Sequence, residues 1–476
     1  WVRTQTAVNG LPGSSWIDMW VSGNGEVYSL GAMFSSLILT PNDTLFNNNN
    51  VGDFFVMKTN RDGDFQWKAL IKTTGSAPIL DYEIAAKIAG DAAGNVYVCG
   101  NLYGGGVNFG NGITLTKTCF PSCRELFLVK YNSIGVAQWA KIIEAENDSR
   151  HKIGGLACDE TGSVLLTGTY GGSAIKFGDA PFDYINLPGT GFFLARFNSD
   201  GDPVWVKFLE SNSNSAEAVA MCISPTQRVY VTGTYVNGDL AFEPGVTLPM
   251  YSGNNAFVAR FDLSGNAVWA QNLNSPNLWR VNDIVADADQ FVYIACRYFA
   301  ELNTRDNPLE ITSGLNSAII AMETNTIQVP VTVNSEFNDD VFTAIDVIPG
   351  GEFYTAGIFN SPELEIAGQT LTNNGCSDLV FLEGRFDGLD IAYKYGGTGC
   401  EYIQNPLSAN AVGLDELGFL YVQGNYSNGL DLGGFVTIGS GMFLARLNTS
   451  IISTDEPVEP TPFEVMPNPN NGTFTL

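Results

Sequence analysis

Residues 198–210 are "NSDGDPVWVKFLE", a turn rich in Asn, Asp and Gly followed by an alternating strand that contains Trp205. Nearly the same arrangement recurs at "NRDGDFQWKALI" (60–71), "NSIGVAQWAKII" (132–143) and "DLSGNAVWAQNL" (262–273). The chain also begins with the strand alone, "WVRTQT" (1–6). Recurrence at intervals of about 60 to 70 residues indicates an internal repeat, and such a repeat has to be recognised before the fold can be predicted.

Two further patterns accompany the Trp strand in a fixed order, and each occurs seven times. The first is a β-rich run that mostly ends in Gly: "VYSLG" (27–31), "VYVCG" (96–100), "VLLTG" (164–168), "VYVTG" (229–233), "VYIAC" (292–296), "FYTAG" (353–357) and "LYVQG" (420–424). The second precedes the Trp strand: "FFVMKTN" (54–60), "LFLVKYN" (126–132), "FFLARFN" (192–198), "AFVARFD" (256–262), "AIIAMET" (318–324), "VFLEGRFD" (380–387) and "MFLARLN" (442–448).

The Trp strand is degraded after the fifth and sixth copies and missing after the seventh, whereas a surplus Trp strand stands at Trp1. A closed ring needs this arrangement if the N-terminal strand completes the last repeat, because the pairing removes two exposed sheet edges. With a small-residue strand such as "EIAAKIAGD" before the first pattern, each repeat has four antiparallel strands. The sequence therefore predicts an all-β, seven-bladed β-propeller over residues 1–452.

The connections of each predicted blade differ in length. Short turns join strands one and two, hairpins join strands three and four, and excursions of about 20 residues join strands two and three, longer than ordinary hairpin loops. Tight turns therefore share one face of the ring. The excursions and the crossings between blades share the other face, where we expect binding.

Composition excludes two classes of partner. The chain of 476 residues has 50 acidic and 23 basic residues, a formal charge of −27, with no local basic patch. Such a surface repels nucleic acid and anionic lipid. No apolar run is long enough to predict a transmembrane segment. The first residue is Trp rather than Met, as expected of a mature protein whose signal peptide has been removed or left out of the sequence.

The repeat period, the "F-x-G" of "VNFGNGITL" (Phe109) and "IKFGDAPFDYINL" (Phe177), and the Gly-to-Trp hairpin together resemble the seven-bladed propeller repeat of secreted bacterial proteins. The resemblance covers about residues 1 to 450 and weakens in the fifth and sixth repeats. Because Phe109, Phe177 and Phe242 recur with the repeat, we expect them in the blade core rather than in a ligand site.

The C-terminal tail carries a second resemblance. A Pro- and acid-rich linker, "STDEPVEPTP" (453–462), precedes "FEVMPNPNNGTFTL" (463–476). The latter resembles the opening of the C-terminal sorting domain of the type IX secretion system of Bacteroidetes, through a set of matching residues: Pro467, Asn468, Pro469, Gly472, Phe474 and Leu476. The resemblance implies export to the medium or the cell surface, with the translocon and its shuttle as partners. The further strands of such a domain are missing, so we expect a truncated form; an ordinary turn and strand is the alternative.

The eight cysteines fit an exported protein. Cys119 and Cys123 share one long loop, and Cys376 and Cys400 lie in a long loop and a crossing of the same face, so two disulfides are plausible. The other four cysteines fall inside strands, where small buried hydrophobes are expected. No Cys-x-x-Cys pair or His cluster predicts a zinc site.

Candidate sites are few. The single histidine, His151, lies in a crossing and is expected to be a solvated loop residue; no nucleophile elbow accompanies it, so no catalytic residue is assigned. Six acids stand just before or within the axial strands: Asp81, Glu83, Glu217, Asp283, Asp339 and Asp340. They form a candidate Ca²⁺ site at the channel mouth, with solvated loop acids as the alternative. The "RDGD" and "SDGD" segments are predicted to be turns, not calcium loops.

Three functional classes remain open. The first is a non-catalytic binding or adhesion module that displays its long loops to a glycan or protein. The second is an extracellular polysaccharide-active enzyme that uses carboxylates at the channel mouth. The third is a structural component of the cell surface.

Overall fold

The fold was analysed in a computed structural model of the chain. The structure describes residues 1–7, 14–40, 43–47, 52–74, 86–102, 105–119, 123–146, 151–210, 215–236, 238–250, 254–273, 278–299, 303–304, 307–308, 315–323, 326–333, 340–366, 369–373, 377–396, 408–426, 429–432, 435–437 and 440–447. The linker and the sorting segment lie outside these ranges, so they stay predictions.

Seven four-stranded antiparallel blades form a ring, which confirms the predicted β-propeller. In chain order, the first strand is β1 (Val2–Ala7), which belongs to blade 7. Blade 1 consists of β2 (Ser14–Val21), β3 (Val27–Met33), β6 (Asp53–Thr59) and β7 (Phe65–Thr74), and blade 2 of β8 (Ala86–Gly90), β9 (Val96–Leu102), β12 (Glu125–Tyr131) and β13 (Ala137–Ala145). Blade 3 consists of β14 (Lys152–Cys158), β15 (Val164–Lys176), β16 (Ile185–Phe197) and β17 (Pro203–Glu210), and blade 4 of β18 (Ser215–Ile223), β19 (Val229–Val236), β22 (Asn255–Phe261) and β23 (Ala267–Asn272).

The strands of blades 5 to 7 are β24 (Leu278–Ala286), β25 (Phe291–Phe299), β28 (Leu315–Glu323) and β29 (Thr326–Val333); β30 (Val341–Val347), β31 (Phe353–Phe359), β34 (Asp378–Arg385) and β35 (Gly388–Gly396); and β36 (Ser408–Leu414), β37 (Leu420–Tyr426) and β40 (Gly441–Leu447) with β1. Among the described residues no helix is long and apolar enough to cross a membrane.

The N-terminal strand closes the ring as predicted. In β1, Val2 pairs with Ala445, Arg3 with Leu444, Thr4 with Phe443 and Gln5 with Met442 of β40. Blade 7 is thus built from both ends of the described chain. The edge of β40 that would otherwise be open is covered by this antiparallel pairing.

The predicted tight turns are present, and their geometry explains their composition. Asn198 Oδ1 accepts hydrogen bonds from the amides of Asp200 and Asp202, at 3.0 and 2.9 Å, while Gly201 has a φ of 81°. Asn60 and Asn132 organise the same turn in blades 1 and 2. The repeated Asn/Asp and Gly therefore specify turns, with the Gly at the left-handed position. We call the side of the ring that carries these turns the turn face, and the opposite side the loop face.

The recurring Trp joins each of four blades to the next one on the turn face. Its indole Nε1–H donates to a turn carbonyl of the next blade: Trp1 to Arg61 at 2.8 Å, Trp67 to Ser133 at 2.9 Å, Trp139 to Ser199 at 3.0 Å and Trp205 to Leu263 at 3.1 Å. The ring of Trp67 lies over Gly135, where an added Cβ would approach it to 2.6 Å. Glycine is therefore required in the turn for this close approach as well as for its φ.

The excursions between strands two and three differ from the expected open loops. They contain short hairpins with the strands β4 (Leu37–Thr40), β5 (Asp43–Leu45), β10 (Gly106–Gly110), β11 (Ile113–Thr116), β20 (Leu240–Glu243), β21 (Val246–Leu248), β26 (Asn303–Thr304), β27 (Asn307–Pro308), β32 (Glu363–Ile366), β33 (Gln369–Thr372), β38 (Leu430–Asp431) and β39 (Val436–Thr437). In four blades the excursion pairs back onto the outer strand of the preceding blade: β4 on β1, β10 on β7, the far end of β15 on β13, and β38 on β35. Part of each long connection thus covers a sheet edge.

The apolar core lies between successive blades. One cluster joins Leu30 of blade 1 with Val98 of blade 2, and others bridge later pairs in the same way. Phe109, Phe177 and Phe242 have 1%, 2% and 8% of their surface exposed and pack in these clusters, which confirms them as core residues.

Substitution Gly135→Ala is expected to destabilise the protein more than Gly110→Ala. Both glycines have positive φ, 79° and 86°, so each Ala carries a backbone cost of about 1–2 kcal/mol. Only the Cβ at 135 meets a neighbour, Trp67, and such overpacking adds about 1–3 kcal/mol. Denaturant unfolding of both variants measures the difference. Equal losses for the two would show that the Trp contact contributes nothing.

Candidate functional site

The seven inner strands surround a cavity of about 150 Å³ on the axis of the ring. Every blade contributes to its wall through the first strand: β2, β8, β14, β18, β24, β30 and β36. Small residues such as Gly155 and Ala220 let the strands converge, and six lining residues are polar: Asp18, Lys87, Asn282, Asp283, Thr343 and Asn410.

One register position carries most of the charge. Asp18, Lys87 and Asp283 each pair with the residue that occupies the fourth place of the first repeated pattern, namely Leu30, Cys99 and Ala295. The other four blades place Gly155, Ala220, Ala344 and Ala411 there. Lys87 Nζ lies 3.9 Å from Asp18 Oδ1, and 35% of the Lys87 side chain is open to the cavity. The cavity is therefore polar and wide enough for water.

Three axial carboxylates link neighbouring blades. Asp18 accepts a hydrogen bond from the amide of Ile88 in blade 2 at 3.0 Å. Asp283 accepts from Ile345 of blade 6 at 3.1 Å, and Asp346 accepts from Leu414 of blade 7 at 2.8 Å. Each carboxylate thus satisfies a backbone donor of the next inner strand, which is a structural role.

Burial controls the ionisation of these acids. Desolvation raises the pKa of Asp283 to about 6, opposed by Lys87 and by the amides of Ile345 and Ile284. It raises the pKa of Asp346 to about 7, opposed by the amides of Val347 and Leu414. Burial also raises the pKa of Asp18, whereas Asp18 and then Asp283 raise the pKa of Lys87 against its own desolvation. Lys87 is consequently charged while Asp283 and Asp346 titrate close to neutrality.

The cavity does not suit a polysaccharide. Sites for drug-sized ligands begin at about 300 Å³, twice the volume found here. Backbone amides donate hydrogen bonds to the carboxylates of Asp18, Asp283 and Asp346. None of the three carboxylates is therefore positioned as a nucleophile or as one member of an acid–base pair. Water bound between Lys87 and the acids is the occupant that the chemistry favours.

The structure does not gather the predicted calcium ligands that it describes. Asp283 lies on the axis, but Glu217 is 40% exposed and lies 3.7 Å from Lys152 Nζ. Asp340 accepts from the amides of Asn360 and Ser361 in blade 6. Asp81, Glu83 and Asp339 lie outside the described residues. Within the described ranges no group of three His, Cys, Asp or Glu residues is arranged to hold a metal, and the full ring of six stays a prediction.

His151 is not the solvated loop residue that the sequence suggested. Only 1% of its surface is exposed, and burial lowers its pKa to about 4, with a hydrogen bond to the Glu144 carbonyl opposing the shift. The sequence cannot reveal this burial, because the residue stands in a polar segment between strands. A neutral, enclosed imidazole cannot reach a substrate.

The cysteine predictions hold where the structure describes the residues. A disulfide joins Cys119 and Cys123. Cys99, Cys158, Cys222 and Cys296 are free thiols inside β9, β14, β18 and β25, and the pKa of each is raised by burial. Cys376 and Cys400 lie outside the described residues, so their pairing stays a prediction.

Three axial residues escaped the sequence analysis: Asp18, Lys87 and Asp346. The sequence carries a signal for them, since Asp18 and Lys87 stand where four other repeats have Gly or Ala, and Asp346 stands where the other six repeats have uncharged residues. Their importance appears only once the seven strands are brought around one axis.

Comparison with known proteins finds similarity only at low sequence identity. No family model matches the chain. Residues amounting to 47% of it are 24% identical to a WD repeat-containing protein, L264, of Acanthamoeba polyphaga mimivirus, and the match covers 18% of that protein's length, so the chain spans less than a fifth of its curated relative.

Several solved structures align over most of the chain at low identity. An ulvan lyase of polysaccharide lyase family PL25 covers 96% of this chain and 98% of its own, with 11% identity and a TM-score of 0.46. Streptogramin B lyase covers 94% and 98%, with 9% identity and a TM-score of 0.41. A leech intramolecular trans-sialidase covers 95% and 94%, with 8% identity and a TM-score of 0.39. At this level of similarity the activities of these proteins say nothing about the present chain.

Substitution Asp283→Asn is expected to stabilise the protein at pH 8 and to leave it little changed at pH 4. A raised pKa means that the folded state favours the protonated acid, so this contribution to stability is present at low pH and is lost as the pH rises through about 6. Asn keeps the acceptor for Ile345 and removes the charge. We expect a gain of about 1–3 kcal/mol at pH 8 in denaturant unfolding.

The exposed Asp62→Asn serves as the control, because its carboxylate is solvated on the turn face. A gain of the same size for both variants, or none for Asp283→Asn, would contradict the assignment of the buried charge.

Proposed function

We propose that the protein is a non-catalytic binding or adhesion module, secreted or held at the cell surface, that recognises a glycan or a protein through its loop face. One observation carries the proposal: the same Trp-to-turn bond recurs on the turn face at four successive junctions, whereas the sequences of the loop-face segments do not repeat. Turn-face positions recur because they build blade-to-blade bonds. Loop-face positions are free of that constraint, and free positions on a rigid scaffold are where binding residues are found.

Groups on the turn face form hydrogen bonds that join neighbouring blades. The turn carbonyls of Arg61, Ser133, Ser199 and Leu263 accept bonds from Trp residues of preceding blades. Tyr97 and Tyr293 likewise donate to the carbonyls of Gly162 and Gly351 in the blades that follow, at 3.0 and 2.8 Å. Because these carbonyls already accept bonds from a neighbouring blade, few turn-face groups are left to bind a ligand. The bonds are the same at successive junctions, so the same turn sequence can provide them in successive repeats.

The segments that connect the blades lie outside the described residues; the sequence predicts them on the loop face, and they differ in length and character. The crossing from blade 1 to blade 2 includes "GSAPILDYEIA" (75–85), that from blade 3 to blade 4 includes "SNSN" (211–214), and that from blade 6 to blade 7 includes "GTGCEYIQNPL" (397–407). Two of the three contain a tyrosine, Tyr82 and Tyr402, among Asn, Asp and Glu residues. Aromatic rings with nearby polar groups suit both sugar rings and protein surfaces.

Binding of the full chain to a panel of soluble polysaccharides and mucin glycans tests this proposal, with Tyr82→Ser and Tyr402→Ser as loop-face variants. Ile134→Ser and Leu417→Ser are matched turn-face controls, since their side chains are 70% and 68% exposed. We expect the loop-face variants to lose at least about tenfold in affinity for a bound glycan, or about 1.4 kcal/mol, and the controls to retain it.

Turnover of any panel member would favour the alternative, an extracellular polysaccharide-active enzyme. Glu217→Ala, at a predicted channel-mouth acid that is 40% exposed, would then lower turnover but preserve binding. Loss of affinity in the turn-face controls alone would instead place the binding surface on the wrong side of the ring.

We further propose that residues 463–476 direct export through the type IX secretion system, with the translocon and its shuttle as partners. The match from Pro467 to Leu476 behind an acidic, Pro-rich linker supports this route. In a host that has the system, the complete chain should reach the medium or the cell surface, and deletion of residues 463–476 should retain it in the periplasm. Equal export of both forms, measured by immunoblotting of cell fractions, would refute the role of the tail.

A further inference from the structure

The excursion of blade 3 contains an insertion that blades 2 and 4 lack. Three residues separate Phe109 from Ile113 in blade 2, and blade 4 has the same spacing after Phe242. Seven residues separate the equivalent Phe177 from Ile185 in blade 3. Residues added to one copy of a repeat are not needed to stack the blades, and such insertions often lie on the binding face. The insertion, residues 178–184, is therefore a candidate binding element.

The insertion has a defined structure of its own. The amide of Phe177 donates to the Phe182 carbonyl at 3.0 Å, and the amide of Phe182 donates to the Asp179 carbonyl at 2.9 Å. Phe182 also packs against the apolar cluster that contains Phe177 and joins blades 2 and 3. Because the loop is already folded, a ligand does not have to order it, and less conformational entropy is lost on binding.

The insertion holds Tyr184 at the outer rim of the loop face. Lys176 of β15 pairs with Glu144 of β13, near the ends of these strands that are farthest from the turn face. The Tyr184 hydroxyl donates to Glu144 Oε2 at 3.2 Å, and Lys176 Nζ lies 5.5 Å from the centroid of the Tyr184 ring. The ring is thus fixed in place, yet 45% of Tyr184 is open to solvent, the largest fraction of any tyrosine that the structure describes.

The charged groups beside this ring have a net negative charge. Lys176 Nζ lies 3.1 Å from Glu144 Oε1 and 3.7 Å from Asp183 Oδ1, so two carboxylates share one ammonium group. The Asp183 side chain is 61% exposed and that of Glu144 is 16% exposed. Asp183 is therefore the carboxylate that a ligand reaches. An anionic ligand would be repelled here, and also by the overall charge of −27.

We propose that Tyr184, Asp183 and Lys176 bind an uncharged sugar unit of a neutral glycan. The inference rests on the proposed function, whose loop face it extends to residues that the structure describes. The C–H face of a pyranose ring stacks on the Tyr184 ring. Hydroxyl groups of the same sugar donate to the Asp183 carboxylate and accept from the Lys176 ammonium group.

The size and the charge of the site favour this class of ligand. One exposed ring with three charged neighbours is much smaller than the roughly 800 Å² that each partner buries in a stable protein complex. A single sugar unit matches one aromatic ring. A uronic, sulfated or sialylated unit would bring an anion next to Asp183, and this repulsion makes the site selective for neutral sugars.

Isothermal titration calorimetry of the full chain tests the proposal with oligosaccharides of a β-glucan, a mannan and a galactan, and with alginate and heparin oligosaccharides as anionic ligands. We expect at least one neutral glycan to bind, and the anionic ones to bind at least about tenfold more weakly. Stronger binding of alginate or heparin would overturn the proposal.

Variants of two exposed residues separate the contributions of the ring and the charge. Tyr184→Ala should lower the affinity for the bound glycan at least about tenfold, whereas Tyr184→Phe keeps the ring and should stay within about threefold of the unchanged protein. Asp183→Asn keeps an acceptor and removes the charge, so it should narrow the preference for neutral over anionic glycans.

Phe46→Ala is the matched control, since it removes an aromatic side chain that is 65% exposed in the excursion of blade 1. It should leave the affinity unchanged. Thermal unfolding midpoints of all variants show whether each one is folded under the conditions of the titration.

The site is refuted if Tyr184→Ala and Tyr184→Phe lose affinity equally, or if Phe46→Ala loses as much as Tyr184→Ala. It is also refuted if Tyr184→Ala binds like the unchanged protein while Tyr82→Ser and Tyr402→Ser lose affinity, a result that leaves the proposed function standing. Failure of every neutral and anionic glycan to bind would overturn this site together with glycan recognition as the function.

Discussion

Closure of the ring rests on the antiparallel pairing of β1 with β40. Any open sheet of blades ends in two strands with unpaired backbone donors and acceptors, and a ring removes both edges only if its two ends meet. The pairing of Val2–Gln5 with Met442–Ala445 does this without a covalent connection. Every other junction inherits its geometry from that closure, because the seven inner strands converge on one axis only when the last blade is complete.

Two sets of contacts then hold the blades against one another. On the turn face, an indole and in three junctions also a Lys or Arg side chain donate to the same turn carbonyl, and glycine leaves room for the Trp ring. On the axis, carboxylates of Asp18, Asp283 and Asp346 accept amides of the following strand. The turn-face carbonyls are neutral, so burying them costs little free energy. The axial carboxyl groups are buried at the expense of their ionisation, so the two sets of contacts respond differently to pH.

Much of this architecture can be predicted from the sequence, since strands, turns and the displaced Trp1 strand all leave local patterns. The partnership of Trp67 with Gly135 is harder to predict, because it joins residues one repeat apart that each look like part of their own hairpin. The excursions were expected to be loops; their short hairpins, such as β10 and β11, are too brief to show strand periodicity. At the axis, Asp283 was recognised but Asp18, Lys87 and Asp346 were not, because their proximity depends on the convergence of seven strands, not on spacing along the chain.

The closure of the ring also affects the contacts between blades 6 and 7. Using the N-terminal strand to complete blade 7 removes the hairpin turn that every other blade has in that position. Without that turn, a Trp or a Lys in blade 6 would have no carbonyl to bond, and blade 6 has Ile391 and Glu383 where such residues stand elsewhere. The different residues in blade 6 are therefore consistent with the closure, and the junction of blades 6 and 7 is held by the axial bond from Leu414 to Asp346, by the pairing of Gly396 with Asp431 and by a shared apolar cluster.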